Sequence, residues 1–149
     1  MFNTIKKFYN QVSRKYHWDG ENWLKIFKNN NFIDYHLGDK LHRNDGPAEI
    51  WYFDNGNIKL KKYYINGTLH REDGPAKIRF HQNGNIYFEI YYKDGKLHRT
   101  NGPAYINNNI KRKIYYFKGI KFYPKKLPFD LPIDNTVKEF YFDLKIQGV

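Results

Sequence analysis

Short runs of alternating apolar and polar residues, separated by Gly-containing turns, occupy the middle of the chain. This alternation has the period of a β-strand, and an Asn-Gly or Asp-Gly pair between two such runs is a strong hairpin signal. Asn55-Gly56 and Asn83-Gly84 predict one set of turns, and Asn66-Gly67 and Asp94-Gly95 predict a second set. The pattern therefore predicts a series of β-hairpins.

The same alternation predicts which residues share a face. Ala48, Ile50 and Tyr52 fall on one side of a first strand, and Ile58 and Leu60 fall on the more apolar side of the second strand. We expect these rows to form one core-like face, opposite a polar face striped with aromatic residues. Long aromatic side chains suit a sheet without a second layer, because they cover its surface.

A unit of 28 residues repeats in this region. "LHRNDGPAEI" begins at Leu41, "LHREDGPAKI" begins at Leu69 and "LHRTNGPAYI" begins at Leu97. The third unit is four residues shorter, at the place of the first strand and its turn, and a degenerate upstream unit places Tyr35 one period before Tyr63. The predicted repeat array covers 19–120, divided into 19–40 (degenerate), 41–68, 69–96 and 97–120 (truncated).

The two ends of the chain depart from the repeat. Apolar residues at helical spacing predict an amphipathic helix over 2–15, within an N-terminal cap at 1–18. The segment 121–149 contains prolines and then an alternating stretch, which predicts a C-terminal cap. The predicted fold is all-β: an elongated single-sheet solenoid of β-hairpin repeats with a helix at one end and a capping segment at the other.

Units of the form "YYxNGxLHREDGPAxI", at 63–78 and 91–106, resemble the MORN-type repeat in its "LHREDGPA" variant, which is found in large DNA viruses of the mimivirus-like and marseillevirus-like kinds. The resemblance covers about residues 35–120. It implies an elongated, twisted array of β-hairpins without intrinsic enzyme activity. It also implies roles in scaffolding, membrane apposition or virion structure, and a place in the virion or the host cytoplasm.

The His, Arg and acidic residues of each unit have the composition of a general acid–base group. They recur at every period, however, and an active site is usually made once, whereas a ladder of identical groups is usually architecture. The chain has no cysteine, and its one serine is Ser13, so no nucleophile is indicated near the histidines. We predict that the protein is not an enzyme and needs no cofactor, and an enzyme using these groups stays the least favoured alternative.

A structural role accounts for each residue type in the repeated motif. The glycines permit a positive φ in a tight turn, the prolines fix the exit into a strand, and the acids or Asn101 accept backbone bonds. We expect the arginine guanidiniums to donate hydrogen bonds to a neighbouring carboxylate or carbonyl, and the histidines to stack or bond across adjacent repeats. The predicted structural residues are His42, Arg43, Asp45, Gly46, Pro47, His70, Arg71, Asp73, Gly74, Pro75, His98, Arg99, Gly102 and Pro103.

A metal ladder through His42, His70 and His98 is an alternative for the histidines. Tetrahedral zinc needs tighter convergence and further ligands than one imidazole per unit supplies. We therefore predict no metal site.

The charge of +11 is concentrated towards the C-terminal part of the chain. No acidic residue lies between Asp94 and Asp130, and 111–126 reads "KRKIYYFKGIKFYPKK". Cations interleaved with aromatic rings are typical of single-strand nucleic-acid sites, although lysines on a strand also serve solubility and protect sheet edges. The candidate nucleic-acid or anion-binding residues are Lys111, Arg112, Lys113, Lys118, Lys121, Lys125 and Lys126.

These observations favour a non-enzymatic structural or interaction protein, a virion or viral-factory component that scaffolds protein–protein contacts. A homodimer is expected, because exposed sheet edges and array ends pair. The first alternative is a nucleic-acid-binding accessory protein that uses the basic zone 96–126, and an anionic membrane surface is a further alternative partner. The chain shows no secretory signal and no run of about 18 apolar residues, so we expect an intracellular protein that is not secreted.

Overall fold

The computed structural model describes residues 15–122 of the chain. This part is all-β: it contains strands and turns and no helix. The strands are β1 (Lys15–Trp18), β2 (Trp23–Lys28), β3 (Phe32–Leu37), β4 (Lys40–Leu41), β5 (Glu49–Tyr52), β6 (Ile58–Lys62), β7 (Tyr64–Ile65), β8 (Thr68–Leu69), β9 (Lys77–Phe80), β10 (Ile86–Ile90), β11 (Tyr92–Lys93), β12 (Lys96–Leu97), β13 (Tyr105–Asn107), β14 (Arg112–Phe117) and β15 (Ile120–Phe122).

One open antiparallel sheet contains most of these strands. Its order is β1-β2-β3-β5-β6-β9-β10-β13-β14-β15, with β4 paired to β3 at the side. The strands β7–β8 and β11–β12 form two small two-stranded sheets. Neighbours in space are thus neighbours along the chain, as expected for hairpins repeated one after another.

The first set of predicted turns is confirmed, with a three-residue loop. At Asn55-Gly56 the Phe53 N–H donates to the Asn57 carbonyl at 2.8 Å, and the Gly56 N–H donates back to the Phe53 carbonyl at 2.9 Å. Gly56 has a φ of 83°, which L-residues rarely adopt. A register shift follows between Trp51 and Tyr52, so the loop introduces a β-bulge into the hairpin.

The second set of predicted turns is also confirmed, and it is of type I′. Asn66 and Gly67 have φ values of 50° and 81°, and two successive positive values define this turn. Asp94 and Gly95 repeat the geometry with φ values of 50° and 75°. The truncated unit keeps it as well, at Lys118 (49°) and Gly119 (88°).

The expected division into a core-like and a polar face is wrong. Ile50 pairs with Lys61, and Lys61 pairs in turn with Ile78, whereas Leu60 pairs with Trp51. Directly opposed residues share a face, so Ile50 and Leu60 lie on opposite faces of the sheet, and only Ile58, beyond the bulge, pairs with Tyr52 of the first row. The bulged turn sets this register, and a change of one residue exchanges the faces, which alternation within a single strand does not reveal.

Each face is best defined by its cross-strand rows. The Trp51 face carries two rows of directly paired residues: Phe32, Trp51, Leu60, Arg79, Phe88, Asn107 and Arg112; and Asp34, Glu49, Lys62, Lys77, Ile90, Tyr105 and Ile114. The Ile50 face carries Ile33, Ile50, Lys61, Ile78, Glu89, Ile106 and Lys113.

The buried apolar positions form a thin line along the array. Ala48, Ala76 and Ala104, one from each "GPA" segment, are fully buried. Each of their carbonyls accepts the amide of a tyrosine one strand away, as Tyr63 N–H does for Ala76 at 2.8 Å. Leu24 and Phe117 are also fully buried. Small alanines let the turn segment lie close against the sheet, so the core is narrow and repeated.

The truncated third unit retains its hairpin. β13 and β14 pair antiparallel around a turn at 108–111, where the Asn107 side chain accepts the amides of Asn109 and Ile110. The deletion that the sequence placed at the first strand and its turn therefore shortens the hairpin without removing it.

Several predictions fall at or beyond the ends of the described range. The helix predicted over 2–15 lies outside it except for Lys15, and residues 15–18 of the predicted N-terminal cap form β1. Most of the predicted C-terminal cap, with Lys125 and Lys126, also lies outside the described residues. Between residues 15 and 122 there is no helix long and apolar enough to cross a membrane.

Candidate functional site

Each repeat places its arginine over the ring of a tyrosine from the preceding unit. The distances from guanidinium carbon to ring centroid are 4.1 Å for Arg43 over Tyr35, 4.0 Å for Arg71 over Tyr63 and 3.9 Å for Arg99 over Tyr91. Tyr35 thus takes the position in the degenerate unit that the 28-residue period predicts. A cation over an aromatic face contributes about 0.5–2 kcal/mol, depending on its burial.

The same arginines fork onto the turn that follows them, as the sequence predicted. In the second unit, Arg71 Nε donates to Asp73 Oδ1 at 2.8 Å, and its Nη1 lies 3.5 Å from the Pro75 carbonyl. The Nε bond recurs in the first unit from Arg43 to Asp45 (2.6 Å), and the third unit repeats both contacts from Arg99 to Asn101 (2.9 Å) and Pro103 (3.3 Å). The hydrogen bond and the charge of Arg71 lower the pKa of Asp73.

The glycine of each "GPA" segment has a different role from the one expected. Gly46, Gly74 and Gly102 do not have a positive φ. A Cβ built at Gly74 would instead lie 3.0 Å from Arg71 Cζ, and one built at Gly46 would lie 3.0 Å from Arg43 Cζ. The guanidinium passes directly over the glycine, and a Cβ there would force it to shift by a few tenths of an ångström. The positive-φ prediction is therefore wrong.

Each histidine, near the start of its unit, contacts the turn near the end of the same unit. His42 Nδ1 accepts the Asn66 amide at 3.0 Å, and the Gly67 amide donates to the Leu41 carbonyl at 2.8 Å. The carbonyl bond recurs from Gly95 to Leu69 (2.9 Å) and from Gly119 to Leu97 (2.8 Å), and His98 Nδ1 accepts the Lys118 amide at 3.1 Å. His70 Nδ1 differs, because it lies closest to the Asp94 carboxylate, at 2.8 Å, with the Asp94 amide at 3.3 Å. These bonds lie within single units, so they are not the predicted bonds between the histidines of adjacent repeats.

The first unit adds a buried acid that the sequence did not indicate. Asp19 and His42 are each only 4% exposed, and Asp19 Oδ2 lies 3.5 Å from His42 Nε2, which is too long for a good hydrogen bond. Burial raises the pKa of Asp19, but hydrogen bonds from the amides of Asn22, Asn44 and Glu21 lower it more. Asp19 therefore ties the β1–β2 turn to the first complete unit.

The three histidines do not converge on one point. Within residues 15–122 no group of three or more His, Cys, Asp or Glu residues is arranged to hold a metal ion.

The structure separates the residues of the predicted basic zone. Arg112 lies on the Trp51 face and Lys113 on the Ile50 face. Lys111 and Lys118 lie in turns at the two ends of β14, which are about 20 Å apart at about 3.4 Å per residue. Lys121, on β15, pairs with Tyr116. These cations do not form a single patch in the described part of the chain.

A cluster around Glu49 on the Trp51 face was not predicted. Glu49 is 7% exposed, receives Lys62 Nζ at 2.9 and 3.0 Å, and accepts the indole N–H of Trp51. Asp34 stands directly opposite Glu49, and burial together with the Glu49 charge raises its pKa to about 6, against the opposing effect of Lys62.

The available sequence signal for this cluster was a break in the repeat. The Glu49 position becomes Lys77 and then Tyr105, one and two periods later, and the Trp51 position becomes Arg79 and then Asn107. Positions that vary within an otherwise constant unit distinguish one repeat from another.

Comparison of this chain with known family models, with curated proteins and with solved structures finds no match. The fold and the repeated contacts define an all-β protein built of repeated hairpins in one antiparallel sheet.

Proposed function

We propose that the protein is a non-enzymatic structural and interaction protein. The observation that supports this most directly is the use made of the catalytic-looking residues. In three copies, the arginine stacks on a tyrosine and binds its own turn, and the histidine Nδ1 lies within hydrogen-bond distance of a residue of the turn that ends its unit. The recurrence of the same contacts in each unit favours a mechanical role over a chemical one.

The arginine–tyrosine contacts suit a scaffold, because they link every unit to the preceding one through side chains as well as through the sheet. A repeat array of this kind gains stability from nearest-neighbour contacts, and its terminal units carry the caps. The arrangement we propose for the whole chain is an elongated single-sheet solenoid capped by the segments 1–18 and 121–149. The resemblance of the "LHREDGPA" units is the basis for proposing a virion or viral factory, inside the host cell, as its setting.

The partner we propose is a second copy of the chain, held through the β1–β2 end of the sheet. Trp18 and Trp23 are 48% and 65% exposed, their rings lie 5.5 Å apart, and Tyr16 beside them is 64% exposed. β1 is the first strand of the sheet order. Adjacent exposed aromatic residues beside a terminal strand are typical of an interaction surface.

Size-exclusion chromatography with light scattering on the full chain tests this assembly. We expect a dimer at micromolar concentration and a monomer for Trp23→Glu, with the melting temperature of the folded unit preserved. Ile110→Glu is the matched control, since Ile110 is 61% exposed in the distant 108–111 turn. A monomer at every concentration, or equal loss of the dimer in both variants, would contradict the proposed interface.

A further inference from the structure

On the Trp51 face, cations stand directly opposite one another across neighbouring strands. Lys62 of β6 pairs with Lys77 of β9, and Arg79 lies two residues further along β9. Like charges placed directly opposite each other destabilise a sheet. Among the ladder partners of these three residues in the described sheet, the one acid is Glu49, which is bonded to Lys62. The sheet therefore keeps an excess of positive charge at this point, at a cost to its own stability.

Lys77, which faces Lys62 across the strands, is half-buried. Burial, and then the charge of Lys62, lower the pKa of the Lys77 ammonium, with Arg79 adding to the effect and Glu49 opposing it. A bound anion would relieve the repulsion among these cations. The cluster has the electrostatics of a site that is completed by a negatively charged ligand.

Aromatic rings flank the cations on both sides. Trp51 is 41% exposed, and its indole N–H is held by Glu49, which fixes the ring while leaving it accessible. On the other side, Phe88 pairs with Arg79, and Lys77 Nζ lies 5.6 Å from the Phe88 ring centroid. These residues line a shallow groove of about 370 Å³.

The groove belongs to a longer row that crosses the strands. Seven residues, from Phe32 to Arg112, are paired in succession, and at about 4.8 Å between strands the row is about 29 Å long. Arg112 places a further cation at its far end. A row of this length matches an extended polymer better than a small molecule.

We propose that the Trp51 face binds single-stranded nucleic acid across the strands, with phosphates on Lys62, Lys77 and Arg79 and bases stacked on Trp51 and Phe88. Exposed sheet faces that combine aromatic rings with cations bind single strands in this way, because every base has a face that can stack. An acidic peptide would use the cations but not the rings. This site goes beyond the scaffold role and does not depend on self-association.

Fluorescence anisotropy of a labelled oligothymidylate, titrated with the full-length protein, tests the site. We expect Arg79→Glu to weaken binding about tenfold or more at about 50 mM salt and to reduce the slope of log affinity against log salt by about one. Trp51→Ala should weaken binding about 5- to 100-fold without changing that slope, because it removes stacking rather than a phosphate contact.

Lys61→Glu is the matched control. Lys61 lies on the same strand as Lys62 but on the Ile50 face, and the substitution changes the net charge by the same amount as Arg79→Glu. We expect Lys61→Glu to weaken binding less than about threefold, since it affects only long-range attraction. Thermal melting of each variant checks that it is folded, and Arg79→Gln, expected to weaken binding less than Arg79→Glu, serves if the charge reversal unfolds the chain.

Three results would overturn the proposal. The first is the absence of binding at about 50 mM salt, where basic proteins bind phosphate readily. The second is an equal effect of Arg79→Glu and Lys61→Glu, which would show diffuse attraction without a site. The third is equally tight binding of polyglutamate that Trp51→Ala leaves unchanged, which would indicate an acidic polypeptide as the ligand. The dimer measurement is independent of all three.

Discussion

Replacing Asp34 with Asn should stabilise the protein at neutral pH. Asp34 Oδ1 is buried and has no hydrogen-bond partner in the described part of the chain, and its carboxyl stands opposite that of Glu49. These surroundings raise the pKa of Asp34 from 3.8 to about 6, with burial as the larger cause. The native state therefore binds the proton of the Asp34 carboxyl more tightly than the unfolded chain does.

The sign and size of the effect follow from that difference. The contribution of Asp34 is fully present below about pH 4 and is lost as the pH rises through about 6, so the charged form destabilises the fold at pH 7. The rise in the pKa of Asp34 from 3.8 to about 6 corresponds to about 3 kcal/mol as an upper limit. Because solvent screens the charge of the partly buried Asp34, we expect a smaller gain, of about 1–2 kcal/mol, in the free energy of unfolding of Asp34→Asn at pH 7.5.

Calorimetric or circular-dichroism melts at a series of pH values measure this effect. The melting temperature of Asp34→Asn should exceed that of the parent by about 3–10 °C at pH 7.5, and the difference should shrink towards pH 4. Asp54→Asn is the control, since Asp54 is exposed in a turn and loses the same charge. If both variants shift by the same amount at every pH, the raised pKa of Asp34 is refuted.

Two further predictions concern the contacts within and between units. His42→Ala should cost about 1–3 kcal/mol, because His42 is 4% exposed and its Nδ1 accepts the Asn66 amide at 3.0 Å. His70→Ala should cost less, because the contacts of His70 with Asp94 (2.8 Å) and Glu72 (3.1 Å) are to exposed carboxylates that water screens. Chemical denaturation compares the two variants, and equal costs would argue against the burial effect. Gly95→Ala should cost more stability than Gly84→Ala, since both glycines have a positive φ but a Cβ at Gly95 would also lie 3.0 Å from Thr68 Cγ2. Thermal melts measure the difference, and a smaller loss of stability at Gly95 would contradict the prediction.

The local features of this fold could be read from the sequence because they depend on short-range chemistry. The Asn66-Gly67 and Asp94-Gly95 turns follow from residues that tolerate a positive φ. The position of Tyr35 and the arginine fork follow from the 28-residue period. Because the sequence of the unit repeats, the same local contact forms in more than one unit.

The predictions that are wrong concern features that depend on strand register and on contacts between side chains. The pairing of Leu60 with Trp51, rather than with the Ile50 row, is set by a bulge that alternation does not encode. The sequence predicts a positive φ at Gly74, because its contact with the Arg71 guanidinium depends on the three-dimensional path of the side chain. The Asp34–Glu49 pair likewise joins residues of two different strands.

The central claim is that the His-Arg-Asp motif is architecture, and a double-mutant cycle on Arg71 and Gly74 tests it most directly. Arg71→Ala removes the Tyr63 stacking and the Asp73 bond and should cost about 1.5–3 kcal/mol. Gly74→Ala should destabilise the parent, where its Cβ meets the guanidinium at 3.0 Å. In the Arg71→Ala background, the same change should be neutral or stabilise by about 0.4–1 kcal/mol, because the φ of Gly74 is not positive.

Gly56→Ala is the control for this cycle, because nothing lies within 4 Å of its Cβ and its cost should be the same in both backgrounds. The measurement is the free energy of unfolding of the single and double variants. The account predicts a coupling between Arg71 and Gly74 of about 0.5–3 kcal/mol. Additive costs within about 0.5 kcal/mol, or an Arg71→Ala variant as stable as the parent, would contradict it.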